Sequence, residues 1–137
     1  MATLDLLESG TPGFFLPDSI VPMSLPVLFA QVPESVKQYA RDLLAQGWRI
    51  YCVSQSRGRC YGRERVITIP LWATKRDRTF ITWYISHELA HAYDRCLHNH
   101  GPQFMEWLKR ICPADSIQHE LGYKPRNARA AGIGFEL

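Results

Sequence analysis

The strongest helical pattern in the chain runs over residues 78–97. There Ile81, Ile85, Leu89, Ala92 and Cys96 step by four, four, three and four and make one apolar stripe. The middle of this helix reads His87-Glu88-Leu89-Ala90-His91. Side chains at i and i+4 share a helix face about one turn apart. The pattern therefore predicts an apolar side buried in a core and a side away from it that offers His87, Glu88 and His91. A chain of 137 residues is the size of one domain, large enough to build a core without disulfides or a structural metal. Its 46% hydrophobic and 21% charged residues exclude disorder over the whole chain, and it has no internal repeat.

The elements around this helix follow from punctuation and period. Val36, Tyr39, Ala40, Leu43 and Leu44, between Pro33 and Gly47, predict a helix over about residues 34–46. Trp48 to Ser54, Arg59 to Gly62 and Arg65 to Pro70 read as extended pieces separated by glycines. A third helix is expected over Pro102–Ile111, with Phe104, Leu108 and Ile111 facing inward and Pro113 stopping it. The order predicts an α+β fold: a small antiparallel or mixed sheet packed against helices, the His87–His91 helix among them. Residues 8–33 carry Pro12, Pro17, Pro22, Pro26 and Pro33, which forbid a long helix or a central strand, yet they are rich in Phe, Leu, Ile and Val. The expected organisation is an apolar, proline-rich arm over 1–33, a core over 34–112 and a loosely packed tail over 113–137.

Cys52, Cys60, Cys96 and Cys112 form no CxxC pair, so they are expected to be reduced, mostly buried thiols rather than a zinc ribbon. The N-terminal residues carry Asp5 and Glu8 without a basic segment, unlike a secretory signal. No apolar run approaches the ~18 residues needed to span a bilayer. A cytoplasmic location without a membrane partner is the expectation. The net charge of +3 conceals an asymmetry. Residues 1–36 have no Lys or Arg. Residues 49–78 hold eight of the 16 basic residues against only Glu64 and Asp77, a local net of +6.

Two imidazoles one turn apart can ligate a single cation at about 2.0–2.1 Å, and a catalytic site normally adds a third protein ligand and an open position. His98, on a continued helix, would stand about 10 Å along the axis from His91 at 1.5 Å per residue and could not share the ion. His100 is better placed, at a turn before Gly101-Pro102 that can fold back towards the metal. His119 and Glu106 are the alternatives. Asp94, three residues after His91, is either a carboxylate that orients a ligand or a partner for Arg95 or solvent.

The run His87-Glu88-Leu89-Ala90-His91, with His100-Gly101-Pro102-Gln103-Phe104 after it, resembles the SprT-like zinc metalloproteases, the family of Spartan. Gly58-Arg59-Cys60-Tyr61 and Val66-Ile67-Thr68-Ile69 resemble the strands before the motif in that family, so the similarity covers roughly residues 34–112. The resemblance implies a minimal zincin-like domain. It makes His87, His91 and His100 ligands of Zn2+ and Glu88 the base that takes a proton from the attacking water. It implies peptide-bond hydrolysis in a protein or peptide substrate, with an extended segment able to pair with a sheet edge. Tyr84, Tyr93, His98 and the arginines are candidate donors to the oxyanion. SprT-like proteases are associated with DNA-bound proteins. That association raises the reading of Arg57, Arg59, Arg63 and Arg65, with Tyr61 among them, as a phosphate-contacting ridge. The plain alternative for these arginines is a solvated or aggregation-resistant sheet edge. The alternative for the whole chain is a metal-containing DNA- or protein-binding regulator with little or no proteolysis.

Overall fold

The structure, a computed structural model, describes residues 19–97 and 100–123. Two strands without polar alternation lie at its centre: Arg49–Val53 (β2) and Val66–Pro70 (β4), buried at every position except Arg49. They pair in parallel from Arg49 opposite Val66 to Val53 opposite Pro70, as strands covered on both faces do. Arg59–Tyr61 (β3) runs antiparallel to β4 on one edge, and Ile20–Val21 (β1) runs antiparallel to β2 on the other. The sheet is therefore mixed, in the order β1-β2-β4-β3. Six helices accompany it among the described residues: Leu25–Leu28 (α1), Glu34–Ala45 (α2), Leu71–Thr74 (α3), Arg78–Tyr93 (α4), Pro102–Ile111 (α5) and Gln118–Tyr123 (α6). The chain is a small α+β domain. Among the described residues no helix is long and apolar enough to cross a membrane.

Gly47 ends α2 as its position suggests. It adopts φ 95°, Gly47 N–H bonds the Leu44 carbonyl, and Trp48 N–H reaches back to that of Leu43, the paired closure of a left-handed helix cap. Helix α4 starts where Asp77 accepts a hydrogen bond from Phe80 N at 3.0 Å. It ends at Tyr93, four residues short of the expected 97. There Arg95 and Cys96 turn left-handed (φ 57° and 55°), and Cys96 N–H bonds the His91 carbonyl at 2.7 Å. The same cap closes both helices, but at α4 no glycine announces it.

The expectation of an α4 face turned away from the core is not met. Every residue from Phe80 to Ala90, and Ala92, is buried. The helix packs against β3 and β4 and against α2, α3, α5 and α6, so His87 and Glu88 point into the molecule. Within the segment expected to be an arm, residues 19–33 supply β1, α1 and the core side chains Leu25, Leu28, Phe29 and Val32. Within the segment expected to be a loose tail, α6 docks on α4.

Gly58 marks a close approach just before β3. A Cβ there would stand 2.5 Å from the Thr68 carbonyl oxygen and 2.8 Å from the Tyr84 ring, while Gly58 N–H donates to the Tyr84 hydroxyl at 2.8 Å. Backbone cannot yield as a side-chain tip can. Gly58→Ala is expected to destabilise the fold by about 1–3 kcal/mol, seen as a lower urea midpoint at unchanged m-value.

Candidate metal centre

Three histidines converge from two elements. His87 and His91 are one turn apart on α4. His100, in the left-handed conformation at φ 63°, precedes Gly101, the N-cap of α5, and so turns back over that helix start. His87 and His100 are 3% and 7% exposed, and His91 is half-buried. His100 Nε2 lies 3.2 Å from His87 Nε2 and 3.3 Å from His91 Nε2. Nitrogens bound tetrahedrally at 2.0–2.1 Å stand about 3.3–3.4 Å apart, so the spacing is that of one shared cation. The three side chains can hold a metal ion.

The rings are fixed by packing. Phe104, fully buried on the inner face of α5, stacks on His91 at a centroid distance of 4.3 Å and meets His87 and His100 at 5.0 Å. The remaining nitrogen of His87 is fixed by a carboxylate: Nδ1 lies 2.7 Å from Glu120 Oε1, which also accepts a hydrogen bond from Trp83 Nε1 at 2.9 Å. Glu120 is wholly buried. Burial pushes its pKa up, but the His87 charge and the hydrogen bonds from His87 and Trp83 outweigh it, leaving the carboxyl below its ordinary range. When His87 is neutral instead, its Nδ1–H donates to Glu120 Oε1 and the Nε2 lone pair is left for a cation. Glu88, 5% exposed, places a second buried carboxylate beside the triad.

The other sequence candidates lie elsewhere. His119 Nε2 is 3.0 Å from Thr79 Oγ1, and its ring packs edge-on to Phe80. Glu106 is exposed on α5, and His98 lies outside the described residues. Asp94 is the buried C-cap residue of α4; a carboxylate set against His87 is that of Glu120, which the sequence pattern does not single out. The Tyr93 hydroxyl donates to the Tyr39 carbonyl at 2.8 Å, and burial pushes its pKa up to about 12, so it belongs to the packing rather than to the site. Tyr84 meets the Gly58 backbone, at the start of the edge strand.

Arg57, Arg59, Arg63 and Arg65 are all exposed. Arg59 is on β3, with Arg57 just before it. Arg63 and Arg65 sit in the turn between β3 and β4 rather than in an extended run, so the second pair does not share a strand face. Arg65 is left-handed, and its guanidinium donates to the Gln46 carbonyl at 2.9 Å. It thus spends its charge on the C-terminus of α2. Comparison with protein-family models, with curated proteins and with solved structures found no match to the chain.

Proposed function

We propose that the chain is a zinc-dependent endopeptidase of the SprT-like, zincin type, acting on proteins held on DNA. The observation that carries this reading is the convergence of three imidazole Nε2 atoms, with His100 3.2–3.3 Å from the other two, beside the buried carboxylate of Glu88. Three neutral imidazoles would suit zinc, and catalytic zinc sites commonly take three protein ligands. Zinc, if held by His87, His91 and His100, would supply Lewis-acid polarisation of a carbonyl and a lowered pKa for water. Glu88 accepts the proton of the attacking water and returns it to the leaving amine. Glu120 keeps His87 in the tautomer that presents Nε2, and Phe104 holds the ring planes. Among the described residues β3 is an edge strand of the sheet and packs beside α4, and an extended peptide can add there as a further strand.

Arg57, Arg59 and Arg63 support the DNA part, because they are exposed on or next to that same edge. Arg65 is set apart from them by its bond to Gln46. The test is a cleavage assay on a DNA-bound basic protein, with metal content measured on the same sample. One zinc per chain is expected, with cleavage lost to a chelator and restored by zinc. Reversing Arg57, Arg59 and Arg63 to Glu is expected to weaken single-stranded DNA binding and to reduce its salt slope by about 2, at ~0.7 per phosphate contact. Zinc and DNA binding without any cleavage would instead assign a metal-containing regulator.

A further inference from the structure

Four cysteines divide into two kinds. Cys52 and Cys112 lie in the core, where burial pushes their thiols up to about 11 and about 12. Cys60 and Cys96 are half-buried and, though 36 residues apart, come together. Cys96 Sγ is 3.6 Å from the Cys60 carbonyl oxygen, close enough that each thiol shifts the titration of the other. We propose that Cys60 and Cys96 are a reversible dithiol–disulfide pair that, when oxidised by a low-molecular-weight disulfide, staples the loop after α4 to the edge strand β3.

The meeting is built rather than incidental. Cys96 reaches β3 only because Arg95 and Cys96 are both left-handed, an uncommon conformation for side-chain-bearing residues. The turn after β3 approaches closely enough that a Cβ on Gly62 would stand 3.1 Å from the Arg95 carbonyl oxygen and 3.3 Å from Cys96 Cβ. The two sulfurs are also chemically unlike. The Cys60 thiol and the Gly62 N–H both stabilise a Cys96 thiolate, which outweighs burial and the negative charges of Glu88 and Asp94 and lowers its pKa. Sharing its proton with Cys96, together with burial, pushes Cys60 well up. Cys96 is the attacking thiol and Cys60 the resolving one.

The exchange balances. The Cys96 thiolate attacks one sulfur of oxidised glutathione, whose S–S bond breaks. The departing glutathione thiolate takes up a proton, leaving a mixed disulfide on Cys96. Cys60 gives up its proton and attacks Cys96 Sγ, releasing the second glutathione as a thiol. Two protein thiols are oxidised by two electrons and one small disulfide is reduced to two thiols. The bond would pin a point between His91 and His100, so in oxidised protein the segment that delivers His100 is tethered to the sheet. The thiol chemistry stands independently of the metal reading; only this consequence for His100 rests on it.

The test equilibrates the full chain in glutathione buffers from reduced to oxidised, then counts thiols after denaturation and maps peptides without reduction. The titratable thiols are expected to fall from four to two, with one linked peptide pair containing Cys60 and Cys96. Dithiothreitol should restore all four. The oxidised form should melt about 10 °C higher than the reduced form, and trypsin should cut more slowly at the exposed Arg95. Cys96→Ser should remove both changes. Four thiols persisting in the most oxidising buffer, or a linkage through Cys52, Cys112 or a second chain, would overturn the proposal whether or not the protein proves to be a metalloprotease.

Discussion

Glu88→Gln should abolish peptide cleavage while the protein still carries one metal per chain. The side chain keeps its shape and loses the ability to accept a proton, which is the role assigned to it. A positioned general base is worth about 10²–10⁴ in rate, so kcat/KM should fall by at least two orders of magnitude. The fold should tolerate the change. Glu88 is only 5% exposed, and a neutral amide is less costly to bury than a carboxylate. Zinc content by elemental analysis, a melting curve and kcat/KM on one preparation decide the matter. Activity within tenfold of wild type would remove Glu88 from the mechanism. Loss of the metal together with activity would make Glu88 a ligand, and the three-histidine site would be wrong.

How far these features could be read from the sequence depends on what kind of signal each leaves. The spacing of His87 and His91 is a helical period, and α4 begins where Asp77 caps it. Pro102 opens α5 and Pro113 follows its end, so that helix runs over Pro102–Ile111, as its punctuation predicts. The end of α4 leaves no such mark, because Arg95 and Cys96 take the left-handed positions that glycine would have announced. Its burial on every side from Phe80 to Ala90 is equally invisible on a helical wheel. His87 and Glu88 read as part of an outward face until β3, β4, α2, α3, α5 and α6 pack against the helix. Arg65 looks like one member of a basic pair, but a tertiary contact with Gln46 sets its role. Glu120 sits in a six-residue helix, too short for any period to show. Its partners Trp83 and His87 are 37 and 33 residues away. Local pattern carries the two histidines on one helix; topology alone brings in the carboxylate behind His87.

That carboxylate is therefore the sharper test of the site as a built object. Glu120→Gln and Glu120→Ala should separate its two contributions. Glutamine keeps an oxygen that can still accept from His87 Nδ1 and Trp83 Nε1, while the negative charge is lost and an amide NH2 replaces Oε2, which is buried without a hydrogen-bond partner. Losing a carboxylate behind a ligating histidine typically costs 10–100-fold in metal affinity. Competition with a chromophoric chelator should show a drop in that range for Glu120→Gln, with a stability loss of about 1–3 kcal/mol for the buried NH2. Alanine also removes the acceptor. It leaves two buried N–H groups unpaired and a void beside Trp83, a fully buried side chain. Each unpaired buried donor costs about 1–3 kcal/mol and the void adds to it, which should appear as a clear drop in the urea midpoint as well as in affinity. If Glu120→Gln bound zinc as tightly as wild type while Glu120→Ala lost only stability, Glu120 would be a packing residue, and His87 would keep its tautomer without it.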